Sequence, residues 1–122
     1  MGLDMYAFIT ADKLASEVDF PEAKAVQLHY WRKHPNLHGW MQLLYIEKGG
    51  REKNFNWSPV ALNSADLDRL EAAVIADELP LTTGFFFGES NWRERKDDDL
   101  AFIAKARKAL ASGKMVFYIG DW

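Results

Sequence analysis

Hydrophobic positions along this chain recur in two rhythms, every second residue in some stretches and every third or fourth in others. Residues 3–10 (Leu-Asp-Met-Tyr-Ala-Phe-Ile-Thr) alternate imperfectly and are rich in strand formers, which predicts a first strand. Ala11 to Lys24 is polar and carries Pro21, so it reads as a connection. Residues 25–31 alternate again, with Val26, Leu28 and Tyr30 on one side and Gln27, His29 and Trp31 on the other, the pattern of a half-buried second strand. His34-Pro35 breaks that strand, since proline disfavours helix in the residue before it and suits a first helical turn. A helix over about 35–47 follows, with Leu37, Trp40, Met41, Leu44 and Tyr45 on one side and Gly49-Gly50 ending it.

Arg51 to Asn56 is a polar loop with aromatic punctuation, and Pro59 to Leu62 reads as a short strand or extended arm. Asn63-Ser64 offers a helix cap with acids just behind it, which suit the positive end of the helix dipole. Leu67, Leu70 and Val74, and less cleanly Ala73 and Ile75, form a helical stripe through about Asp77, stopped by Leu79-Pro80. Thr83 to Gly88 reads as an extended, glycine-bracketed segment. A third helix is expected over about 93–111, with Leu100, Ile103, Ala106 and Leu110 at core spacing and Ser112-Gly113 after it. Met115, Phe117 and Ile119 alternate in a last strand. This order predicts one α+β domain over residues 1–122, a small, mostly antiparallel sheet covered by about three helices.

Composition narrows the chemistry. The chain has 122 residues, 14% of them aromatic, so a small core still buries much area. The net charge of −3, with both signs mixed throughout, gives no general drive toward nucleic acid or acidic membranes. With no cysteine, disulfides, thiolate metal sites and a cysteine nucleophile are excluded. The amino-terminal residues lack a signal peptide's basic start and apolar run, position 6 is Tyr rather than the Ser or Thr of a myristoylation start, and no stretch matches a membrane helix. The cytoplasm is the expected location.

Functional groups concentrate at Tyr30, Trp31, Arg32 and Lys33, followed closely by His38 and Trp40. Cations placed near a helix amino terminus would hold phosphate or carboxylate, and the rings would stack on a base or sugar. Against this stands the ordinary fate of such residues: Tyr30 and Trp40 in the core, Trp31 partly packed, and the cations paired with surface acids.

The other candidates are weaker. His34 and His38 have the i, i+4 spacing of zinc ligands, but Pro35 puts His34 at the helix start, and no acid stands between them as in His-Glu-x-x-His. No metal or other cofactor is expected. Gly84 to Gly88 encloses three phenylalanines, which suit core packing better than a phosphate cradle. Asp97, Asp98 and Asp99 are consecutive on a helix, point in different directions, and favour its dipole. No serine sits in a nucleophile-elbow pattern. Arg93, Arg95 and Lys96 beside Trp92 form a basic-aromatic group, but interleaved acids cancel most of its field, so nucleic acid is disfavoured.

Several of these pieces occur together in one order: Met1-Gly2-Leu3-Asp4-Met5-Tyr6, Tyr30-Trp31-Arg32-Lys33, His38, Trp40, Leu79-Pro80, Gly84-Phe85-Phe86-Phe87-Gly88 and a final Trp122. In this the chain resembles a family of small uncharacterised proteins of bacteria and their phages, over essentially its whole length. The resemblance implies a phage or prophage connection. Family members usually carry a tyrosine-rich stretch where this chain has Ser90-Asn91-Trp92-Arg93. Some members are labelled phosphoglycerate kinase, and these residues argue against that activity. There is no Gly-rich loop ending in Lys-Ser/Thr, and the chain is too short for two substrate-binding lobes.

The expectation is a non-enzymatic binding or interaction protein with its site at Tyr30, Trp31, Arg32, Lys33, His38 and Trp40, contacting an anionic small molecule or an acidic protein surface. The alternatives are an enzyme acting on a phosphorylated or nucleotide substrate, with His38 as general acid or base and Arg32 as anion clamp, and a structural or oligomerising module.

Overall fold

A computed structural model describes residues 2–21, 24–80, 82 and 92–122, with side chains from Arg95 onward in the last segment. The elements run β1 (Asp4–Thr10), β2 (Val26–Arg32), α1 (Pro35–Glu47), β3 (Val60–Leu62), α2 (Ser64–Ile75), α3 (Trp92–Ala111) and β4 (Met115–Asp121). The strands form one four-stranded antiparallel sheet in the order β2-β1-β4-β3. With the three helices of the described residues this is the α+β architecture expected from the pattern. The expected Gly84–Gly88 segment and the Ser90–Asn91 stretch lie outside the described residues. No described helix is long and apolar enough to cross a membrane.

Local chemistry accounts for the helix ends. Pro35 occupies the first turn of α1, where its missing N–H costs nothing. At the other end Gly49 takes φ +93°, a conformation side chains resist, and Gly50 N–H donates to Tyr45 O at 2.8 Å to close the helix. The α2 start is a reciprocal capping box: Asp66 N–H donates to Asn63 Oδ1 at 2.8 Å and Asn63 N–H to Asp66 Oδ2 at 2.9 Å.

One sheet face carries the main core. Leu3, Met5 and Ala7, in and just before β1, point into it with Val116 and Tyr118 of β4, against Leu37, Met41, Leu44 and Tyr45 of α1, Leu67 and Leu70 of α2, and Phe102 and Ile103 of α3. Trp40, expected among the core positions of α1, is only half-buried there. The opposite face holds a separate cluster, Phe20, Ala61 and Phe117 with Phe8, Leu14 and Ile119, to which no described helix contributes. Part of the presumed connection after β1 joins the sheet edge. Val18 bridges Val60, and Ala61 N–H donates to Glu17 O at 2.8 Å.

β2 departs from simple alternation. Ala7 pairs with His29 but Phe8 pairs with Gln27, so Leu28 is an extra residue in a bulge. His29 and Trp31 turn into the interior and Tyr30 turns out, the reverse of the reading that put Tyr30 in the core. β2 is also an edge strand, and α3 guards it. Arg95 donates to Arg32 O at 2.7 Å and Lys105 to Leu28 O at 3.4 Å, occupying carbonyls that would otherwise invite another strand.

Candidate functional site

The structure does not gather the six residues expected to form a site. Tyr30 is 44% exposed on the outer face, its hydroxyl donating to Asp4 Oδ1 at 2.5 Å. Trp31 is 2% exposed on the inner face, edge-on to Phe102, with its indole N–H donating to Asp99 Oδ1 at 3.1 Å. Neighbours on a strand face opposite ways, so these two rings cannot bracket one ligand. Arg32 and Lys33 are exposed, Arg32 standing opposite Asp4 in the register. His38 is 1% exposed, its Nδ1 2.6 Å from the Tyr118 hydroxyl and its ring 4.9 Å from that of Phe55. Burial lowers the His38 pKa to about 4, which suits a neutral core imidazole rather than a proton carrier at a pocket wall.

A polar layer between β2 and α3, buried at His34 and Asp99 and open to solvent at Asp98 and Lys105, was not visible in the sequence. His29 Nε2 lies 3.1 Å from both Asp98 oxygens, and Lys105 Nζ lies 2.8 Å from His29 Nδ1. His34 Nε2 lies 2.8 Å from Asp99 Oδ2, so Asp99 holds both His34 and Trp31. Asp98 and Asp99 therefore do more than favour a helix dipole. Among the described residues His34 Nδ1 has no hydrogen-bond partner, which gives this imidazole the arrangement of a general base oriented by a carboxylate. At 0% exposure, however, it reaches neither solvent nor substrate. His34 and His38 serve different partners, and among the described residues no group of three His, Asp or Glu converges as metal ligands.

The exposed chemistry gathers on the outer sheet face. Its rings follow one another across the strands: Tyr30 to Tyr6 at 5.3 Å, Tyr6 to Phe8 at 5.9 Å, Phe8 to Phe117 at 5.3 Å, and Phe20 edge-on to Phe117 at 5.2 Å. A cleft of about 480 Å³ opens at the Phe8–Phe117 end, lined by Phe8, Phe20, Trp57, Pro59, Phe117 and Ile119 along with Pro21 and Ala25. A second recess of about 460 Å³ shares Phe20, Trp57 and Pro59 and adds Asp19, Arg51, Glu52, Asn56 and Ser58. The two form one groove with an apolar floor and a polar end.

Trp57 is the rim of this groove. It is 60% exposed, yet fixed at both ends: its backbone N–H donates to Gly120 O at 2.8 Å and its indole N–H to Asp121 Oδ1 at 3.0 Å. Its φ is +59° and that of Phe55 is +46°, left-handed values that cost free energy for residues with side chains. The loop is held there by Phe55, buried in the core, and by Trp122, whose indole N–H donates to Phe55 O at 3.1 Å. The sequence shows an aromatic at position 57 but not the strained backbone that presents it.

Acids set the potential of the face. Tyr6 has a raised pKa, first from burial and then from Asp4 and Asp121; Tyr30 is raised by its hydrogen bond to Asp4. No known family model matches this chain, and no curated protein or solved structure matches it either.

Proposed function

We propose that this protein is a non-enzymatic binding module whose ligand seats in the outer-face cleft, with a flat or compact apolar group against Phe8, Phe117 and Ile119 and under the Trp57 ring. The observation that carries this reading is Trp57 itself. A large apolar ring left mostly exposed, on a backbone held at unfavourable φ by a buried neighbour, is a cost that packing alone does not require. The cleft has the dimensions of small-ligand sites and their mostly apolar lining. The Tyr30–Trp40 cluster is less favoured as the site, because its residues face both sides of the sheet and Asp4 stands beside Tyr30 and Arg32.

Titration with indole, followed in amide proton–nitrogen correlation spectra, tests this. Shifts should centre on Phe8, Trp57, Phe117 and Ile119 and vanish in Trp57→Ala. Shifts centred elsewhere, or unchanged in the variant, would move the site off the cleft.

A further inference from the structure

The charges around the groove are unbalanced, and the side chains of its apolar floor offer nothing to a hydrogen-bond donor. Asp121 accepts from the Trp57 indole, and Asp19 and Glu52 line the polar end. Arg51 is the cation among the lining residues. Lys24, next to lining Ala25, is accompanied by Asp12, whose carboxylate accepts the Lys24 backbone N–H at 3.3 Å. Asp121, Asp19 and Glu52 therefore outnumber Arg51 around the groove, while Asp12 and Lys24 balance one another. The eight residues of the apolar cleft carry no side-chain acceptor, while four of them are aromatic: Phe8, Phe20, Trp57 and Phe117.

Building on the cleft as the binding site, we propose that its ligand carries an alkylated ammonium group, held over the Trp57 ring in the field of Asp121, Asp19 and Glu52. Aromatic faces attract a cation through their quadrupole, and tryptophan does so best. The carboxylate of Asp121 on the indole N–H adds electron density to that ring. A primary ammonium entering this floor would lose hydration without finding a side-chain acceptor, whereas a fully alkylated nitrogen has no N–H to satisfy. An anionic ligand would lose on both counts, and a neutral one would gain nothing from the acids.

The test compares choline with its uncharged isostere, in which carbon replaces nitrogen, using the same spectra and indole as the cleft control. Choline should shift the cleft residues and bind roughly tenfold tighter than the isostere. Asp121→Asn keeps an acceptor for the indole N–H but removes the charge, so it should narrow that difference and leave the isostere's affinity in place. Trp57→Leu should abolish choline binding. Equal affinity for the two probes, or no binding of either while indole still binds, overturns the cation assignment and leaves the cleft standing. Failure of all three probes removes the cleft as well.

Discussion

The Tyr118 hydroxyl and His38 Nδ1 meet at 2.6 Å inside the main core, joining β4 to α1 across the sheet. Burial pushes Tyr118 well above its ordinary pKa and pulls His38 down, so both are neutral near pH 7. With both groups neutral, the phenol and Nδ1 share one hydrogen bond, whose direction is set by the imidazole tautomer. The pair is a polar tie between two elements, and the low dielectric around it makes either charged form costly.

That tie predicts a pH dependence of stability. The folded-state pKa of His38, about 4, lies below the unfolded value of 6.5, so the unfolded chain takes up the proton first. The contribution is complete above 6.5, declines as pH falls, and is lost by about 4. It amounts to about 3 kcal/mol. Urea unfolding across this range should give a shallower slope for His38→Gln than for the unsubstituted protein; parallel slopes would assign the effect elsewhere.

Gly120 lies beneath the same pair. A Cβ there would come within 2.6 Å of His38 Cε1 and 2.9 Å of the Tyr118 hydroxyl oxygen. Gly120→Ala should therefore cost roughly 1–3 kcal/mol through overpacking, a melting-temperature drop of several degrees. An unchanged melting temperature would mean that the histidine does not sit against this glycine.

Asp98 and Asp99 are adjacent but should behave differently. Asp99 is buried and accepts from the Trp31 indole N–H beside His34, so Asp99→Ala strands buried polar groups and should cost about 2–4 kcal/mol. Asp98 is half-exposed, and Asp98→Ala should cost at most about 1 kcal/mol. Denaturant midpoints of the two variants decide the matter; equal losses would contradict the burial of the Asp99–His34–Trp31 group.

Lys48 is buried after α1, with Nζ 2.5 Å from Asp66 and 2.6 Å from Ala61 O. Burial works to raise the Asp66 carboxyl, but the Asn63 N–H, Lys48 and Arg69 together hold it below its ordinary range. Lys48→Met leaves Asp66 with Asn63 and Arg69 and should cost roughly 2 kcal/mol. The Asp66 contribution is present above the ordinary carboxylate range and lost as pH falls through the depressed value, so the variant's penalty should shrink in acid. A penalty independent of pH would show that lost packing of the lysine stem, not the ion pair, is responsible.

Local features were legible in the sequence because their causes are local. Pro35 at the first turn, the Gly49-Gly50 stop, the Asn63 cap and the period of Leu67, Leu70 and Val74 each act within a turn or two of helix, and the expected helices stand close to where the chain forms them. Alternation likewise marked β1, β2 and β4, and with the helices it fixed the α+β class.

Which face of each strand is buried was decided by the tertiary structure. Alternation names two faces but does not say which one the helices cover, and the bulge at Leu28 arises only from pairing with β1. Thus Trp31 went inside, Tyr30 outside, and a cluster dense in functional groups was divided between them. The pairs His29–Asp98 and His34–Asp99 join residues 69 and 65 positions apart, so no spacing rule reveals them. The cleft depends on the same long-range placement. Position 57 is only an aromatic in a polar loop until Phe55 enters the core and the pairing of β4 brings Gly120 and Asp121 beneath it, because contacts across the fold, and not the neighbouring residues, hold that backbone at positive φ.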